Sequence, residues 1–174
     1  MLKFERSTYR RATEQSVAIR ISVLNHNAGE YSRAVIGHRR DHLIDIAVAC
    51  FDESVGVGGI AVTATDSNDM IFSGANRGNY ISVAAPGVDI AVPAPEATYQ
   101  LTTGTSVAAA EVSGIVALLL QRNPALTPDQ VRTILTSTAK HPGDQEHNDT
   151  YGWGLIDLAK AIQAAADAKP PATQ

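Results

Sequence analysis

Gly104-Thr105-Ser106-Val107-Ala108-Ala109-Ala110-Glu111-Val112-Ser113-Gly114 places a serine in the first turn of an apolar helix, directly after a glycine turn. From Ser106 the apolar pattern runs to Arg122, too long for a strand, and Asn123-Pro124 ends it, so the spacing predicts a core helix over 106–122. The start of a helix leaves backbone N–H groups without intrahelical acceptors and carries the positive end of the helix dipole. The amide of Ser106 is therefore placed to hold the oxyanion of an acyl-transfer intermediate, and its hydroxyl to act as the nucleophile. The plainer reading is that Ser106 only caps the helix, as serines commonly do. Spacing taken alone favours the cap.

Working outward, a second helix is announced by a capping box, with Thr127 as N-cap, Pro128 at the first helical position and Gln130 three residues after the cap. Val131, Ile134 and Leu135 form its buried stripe. Tyr151-Gly152-Trp153-Gly154 leads to Asp157, which can cap a last helix through about Ala166. On the other side of Ser106, Gly56-Val57-Gly58-Gly59 reads as a turn, Ile60–Thr65 as a strand, and Tyr80–Ala85 as another strand stopped by Pro86-Gly87. Further upstream, Ser16–Leu24 and Ile44–Cys50 read as strands and Tyr31–His42 as a short helix, with few caps or turn residues to define them. Strands followed by helices suggest an α/β domain or part of one.

A chain of 174 residues can bury roughly 70% of its unfolded surface, enough for one cored domain. With 44% hydrophobic and 18% charged residues it lies in the globular range. A net charge of -4 with acidic and basic residues interspersed offers no footprint for a phosphate backbone or an anionic membrane, so neither is expected as a partner. Cys50 is the single cysteine, which excludes an internal disulfide and a thiolate metal cluster; it sits in an apolar run and reads as a small core residue. Met1–Arg6 leads into charged and polar residues where a signal peptide needs an apolar stretch, and Val107–Leu120, broken by Glu111 and Ser113, falls short of a membrane span. The compartment stays open.

A seam lies near residue 50. Residues 1–50 hold eight Lys/Arg against five Asp/Glu, whereas 51–174 hold six against thirteen; all eight prolines and eleven of the thirteen glycines also fall after residue 50. Turn chemistry concentrated on one side of a chain leaves the other side weakly specified. The division read from this is 1–54 as a poorly specified segment, 55–166 as the organised part, and 167–174 as a disordered tail.

Gly104-Thr105-Ser106 followed by small residues, Val112-Ser113-Gly114 and an aliphatic run resembles the nucleophile motif of the subtilisin-like serine proteases, the subtilases. The likeness continues in order. Ala61–Asp66, Phe72–Gly78 and Val83–Ile90 resemble the family's stretch before its serine, and Asn123-Pro124, Leu126–Val131 and Tyr151–Asp157 its closing helices. The resemblance covers about residues 55–166 and implies a partial subtilisin-like fold, a mostly parallel sheet with flanking helices. It also implies Ser106 as nucleophile of a serine-type endopeptidase acting on peptides or proteins, with no cofactor and no metal. One departure stands inside the motif: Ala110-Glu111 replace the Pro-His of many members.

A serine hydroxyl needs a general base within hydrogen-bond reach, itself oriented by a carboxylate. The family's Asp-Thr-Gly and His-Gly-Thr motifs do not occur here. His26, His38 and His42 precede Ser106 in unrelated contexts, and Asp41-His42, as neighbours in an extended segment, point to opposite faces. The family's second oxyanion donor, an asparagine, is also missing, the corresponding stretch reading Ala49-Cys50-Phe51-Asp52-Glu53. Loss of such a donor costs roughly 3–4 kcal/mol and loss of the base about a millionfold in rate, figures that come from a subtilisin. The expectation is a subtilase part that is truncated and inactive as this chain alone, completed if at all by a complementary chain carrying Asp and His. The alternative is a non-catalytic binding module that keeps the half-fold; a third reading is a product that does not fold stably, because half a sheet leaves unpaired edges and an uncovered apolar helix. Two cheaper motifs fail: Gly56-Val57-Gly58-Gly59-Ile60-Ala61 precedes a strand where a dinucleotide site needs a helix, and Ser106 lacks the second glycine of a hydrolase elbow.

Overall fold

The computed structural model describes residues 17–22, 33–38, 43–45, 48–49, 59–143 and 147–169. The chain enters through β1 (Val17–Ser22), β2 (Arg33–His38) and β3 (Leu43–Asp45), an antiparallel sheet in that order. The helix expected over Tyr31–His42 is therefore a strand in its centre. Val35 and Ile36 favour extended backbone, Gly37 is a poor helix former, and β2 pairs residue for residue with β1 from Arg33↔Ser22 to His38↔Val17. The strand expected over Ile44–Cys50 is divided between β3 and β4 (Val48–Ala49), which belong to different sheets. Cys50, Gly56–Gly58, His26, Asp41, His42 and the tail from residue 170 lie outside the described residues.

The central layer is a parallel sheet ordered β4, β5 (Ile60–Thr65), β6 (Val83–Pro86). β5 occupies the span read from its β-branched run and is buried at every position, as a parallel strand covered on both faces should be. β6 starts later than the Tyr80–Ala85 strand expected, because Ile81 N–H turns back to the Gly78 carbonyl and regular pairing begins at Val62↔Val83. One face of β5 and β6, carrying Ile60, Val62, Ala64, Val83 and Ala85, packs against α1 (Thr105–Arg122) through Ala108, Val112, Val116, Leu119 and Leu120. Each fully buried leucine or valine here contributes about 1.5–3 kcal/mol relative to exposure. On the opposite face the Thr63 hydroxyl donates to the Asn76 carbonyl at 2.8 Å, and the Ser82 hydroxyl accepts from the Ala61 amide at 3.3 Å.

After Asn123 the capping box forms as read: Thr127 Oγ1 accepts from Gln130 N–H at 3.2 Å, and Gln130 Oε1 accepts from Thr127 N–H at 2.9 Å, starting α2 (Pro128–Ser137). Asp157 caps α3 (Leu158–Asp167) by accepting from Lys160 N–H at 3.0 Å. That bond, with the Lys160 side chain adding to it, holds the Asp157 carboxyl below its ordinary range. Asn123 Nδ2 ties the end of α1 to α3 through the carbonyls of Ala165 and Ala168.

The segment before α3 works as a further strand beside β6. Ala84 N–H donates to Gly154 O, Ile156 N–H to Ala84 O, and Leu155 exchanges both bonds with Lys140. Gly152, at φ +60°, lies so close to β6 that a Cβ there would sit 2.6 Å from the carbonyl oxygens of Ile81 and Ser82. Between β6 and α1 the chain makes a hairpin of β7 (Ile90–Ala94) and β8 (Thr98–Thr102), with no counterpart among the expected elements.

Candidate active site

Ser106 is the second residue of α1, and what positions it is the exit of β6. Gly87 N–H donates to Thr65 O at 2.9 Å, and Gly104 N–H donates to Gly87 O at 2.7 Å, so the residue preceding α1 is pinned to the carboxyl ends of β5 and β6. In parallel α/β sheets this is the end where ligands bind. The approach is close: a Cβ on Gly87 would meet Ala64 Cβ and Gly104 O at 2.8 Å and Ala108 Cβ at 3.2 Å. Glycine at 87 lets the strand exit and the helix start share one small space.

The N-cap position belongs to Gly104, which offers no side-chain cap, and Gly104 O accepts from both Val107 N–H at 3.1 Å and Ala108 N–H at 3.3 Å. Ser106 is thus not the cap, which removes the plainer reading of its hydroxyl. The side chain is exposed, and its Oγ makes no hydrogen bond among the described residues. A Cβ at Gly104 would stand 3.3 Å from Ser106 Oγ, so a side chain there would crowd the hydroxyl. The amides of Thr105 and Ser106 lie in the first turn, ahead of any intrahelical acceptor. An exposed hydroxyl beside open amides at the positive end of an 18-residue helix is an arrangement that accepts a developing negative charge.

No hydrogen bond joins Ser106 to a histidine among the described residues. His38 ends β2. His141 is exposed, with no bond among the described residues. His147 Nε2 lies 3.1 Å from the Ile81 carbonyl and its ring meets Trp153 edge-on at 5.3 Å. Ile81 precedes β6 and Gly87 follows it, so His147 is anchored roughly 15–20 Å from the Ser106 end of that strand, at about 3.3 Å per residue. Glu111 is half-buried on α1 without a hydrogen bond or ion pair among the described residues, and burial pushes its carboxyl above the ordinary glutamate value of 4.5. Among the described residues no group of three or more His, Cys, Asp or Glu is arranged to hold a metal ion. What sequence reasoning missed is the Gly87–Gly104 tie; the Pro86-Gly87 pair was legible as a strand stop but not as the support of the helix that carries Ser106.

A parallel sheet with a serine-bearing helix starting at its carboxyl edge defines a partial α/β fold of the subtilisin type. The structure of fervidolysin from Fervidobacterium pennivorans, described as a keratinolytic enzyme related to subtilisin, superposes at a TM-score of 0.55 with 31% identity, over 66% of this chain and 20% of that one. MycP1, a serine protease described as an essential component of the type VII (ESX-1) secretion system, superposes at 0.54 with 32% identity, over 60% and 31%. The model of the subtilase family matches residues 21–154, beginning upstream of the motif resemblance, and the chain belongs to that family. Subtilisin DY of Bacillus licheniformis is 42% identical over 104 residues, and Subtilisin E of Bacillus subtilis (strain 168) 40% over 104 residues. The matched stretch is 60% of this chain but only 37% and 26% of those relatives, so the chain spans between about a quarter and two fifths of their length.

Proposed function

We propose that this chain supplies the nucleophile-bearing part of a serine-type endopeptidase, with peptides or proteins as substrates. The Ser106 hydroxyl attacks the scissile carbonyl and the Ser106 amide holds the oxyanion; the C–N bond then breaks, the amine leaves with the proton that the base took from the hydroxyl, and water hydrolyses the resulting acyl-enzyme to release the carboxylic acid product. The observation that carries this reading is the exposed Ser106 Oγ, unbonded among the described residues, at the open start of α1 in a member of the subtilase family. Attack also requires a base to take the hydroxyl proton and a carboxylate to orient that base. His141 and His147, the described histidines whose side chains are placed, do not bond to Ser106. In this reading the isolated chain is inactive and a complementary chain brings Asp and His.

The test is hydrolysis of a labelled casein by this chain, alone and mixed with a polypeptide encoded in the same genome that carries the Asp-Thr-Gly and His-Gly-Thr motifs. Activity that appears only in the mixture and disappears with Ser106→Ala is expected. A folded mixture that forms a complex and never hydrolyses peptide favours the second reading, a subtilase-derived binding module. That no base bonds to Ser106 among the described residues is the observation on that side.

A further inference from the structure

β8 reads Thr98-Tyr99-Gln100-Leu101-Thr102, with no charged residue, no proline and no glycine. Among the described residues it pairs only with β7, so its other edge presents backbone N–H and C=O groups with no strand beside them. Edge strands are ordinarily guarded by charges, prolines or bulges. β7 has such a guard in Pro93, and β8 has none. Pro93 has no N–H to give, so the Pro93↔Tyr99 pair falls between ladder bonds and the backbone groups of Tyr99 point to the open edge. By the alternation of an antiparallel ladder, those of Leu101 point there too. The side chains of Tyr99 and Leu101 share one face of the ribbon with their cross-strand neighbours Pro93 and Ala91. That face is bare: at 77% and 67%, Tyr99 and Leu101 are the most exposed large hydrophobic side chains among the described residues.

We propose that the open edge of β8 recognises itself, two copies of this chain joining antiparallel about a two-fold axis through Gln100. The occupant follows from the strand, which is its own complement. Read in either direction from Gln100 it gives a large apolar side chain and then a threonine. The pairing therefore sets Tyr99 opposite the partner's Leu101 and Thr98 opposite the partner's Thr102. Threonine facing threonine and an aromatic ring facing an apolar side chain are favourable cross-strand pairs. In the same register Tyr99 and the partner's Leu101 exchange both backbone bonds, and these are the residues whose groups face outward. No charge enters the contact, since Asp89 and Glu96 stand outside β8. The product is a four-stranded sheet in the order β7, β8, β8, β7, with Pro93 guarding each outer edge. Such an isologous contact closes on itself and stops at two copies. One five-residue strand per copy buries less than the ~1,200 Å² of a stable complex, so the association is weak and reversible. The proposal is independent of the chemistry read at Ser106.

Sedimentation velocity of the full chain from ~1 μM to ~1 mM, the range of weak association, is expected to show a reversible monomer–dimer equilibrium. Tyr99→Lys combined with Leu101→Lys sets like charges opposite each other across the axis and should weaken dimerisation about tenfold or more, with thermal unfolding as the control for folding. Tyr99→Lys combined with Leu101→Glu sets opposite charges there and should restore it, which a contact through another surface or register would not do. Disulfide trapping in a Cys50→Ser background reads the register separately. In an antiparallel pair whose backbone groups face away from each other, Gln100→Cys meets its own copy at a Cα separation of about 4.5 Å, within disulfide reach. Thr98→Cys stands four residues, about 13 Å along the strand, from its copy. Gln100→Cys should therefore cross-link about tenfold faster or more. The proposal is overturned if the chain stays monomeric over the whole series, if the dimer survives the double lysine substitution, or if Thr98→Cys cross-links as fast as Gln100→Cys.

Discussion

Two residues near Ser106 show how narrow the margins are. Gly87 has no room for a side chain, because Ala64 Cβ and Gly104 O both lie at 2.8 Å from where a Cβ would be. Gly87→Ala is therefore expected to destabilise the fold by about 1–3 kcal/mol, the usual range for overpacking, read as a lower urea midpoint. The same change should separate Gly104 from the Gly87 carbonyl and disturb the start of α1. Glu111 makes a pH prediction of definite sign. Its folded-state carboxyl titrates above the ordinary 4.5, so between those two values the native chain holds the proton more tightly than the unfolded chain does. Stability then falls as pH rises through that window. Glu111→Gln should flatten this slope and leave the isolated chain more stable than wild type at pH 7, as urea unfolding at pH 4 and 7 would reveal.

At the scale of elements, legibility followed local chemistry. The α2 capping box was readable because both of its bonds are made within four residues, and Thr127→Ala, which breaks the box, should cost about 1 kcal/mol in thermal or urea unfolding. β5 was readable because its apolar, β-branched run has one interpretation between a glycine turn and a polar loop. The hairpin β7–β8 gave no such signal. Its turn is made by Glu96 and Ala97 at φ 61° and 57°, where glycine or asparagine would have announced it, and Pro93 and Pro95 blur the strand pattern. Tyr31–His42 misled because a short stretch of mixed residues carries no period strong enough to outweigh pairing with β1. Gly152 was legible as an irregular residue, but not as the point where the segment before α3 presses on β6. Gly152→Ala combines an unfavourable φ with contact at 2.6 Å, so it should lower the melting temperature by more than Thr127→Ala does.

For the whole molecule, the family could be read from the order of several short motifs, and the position of Ser106 from one of them. Its surroundings could not. A helix start pinned to a strand exit 17 residues upstream depends on backbone contacts that leave no composition signature. The account proposes Ser106 as a nucleophile at an open helix start, with no histidine bonded to it among the described residues. Labelling with a fluorophosphonate probe tests this most directly, comparing the full chain with Ser106→Ala, each alone and mixed with the motif-bearing polypeptide. The account predicts no labelling of the isolated chain and strong labelling in the mixture that Ser106→Ala abolishes. Labelling of the mixture that Ser106→Ala leaves unchanged would contradict it.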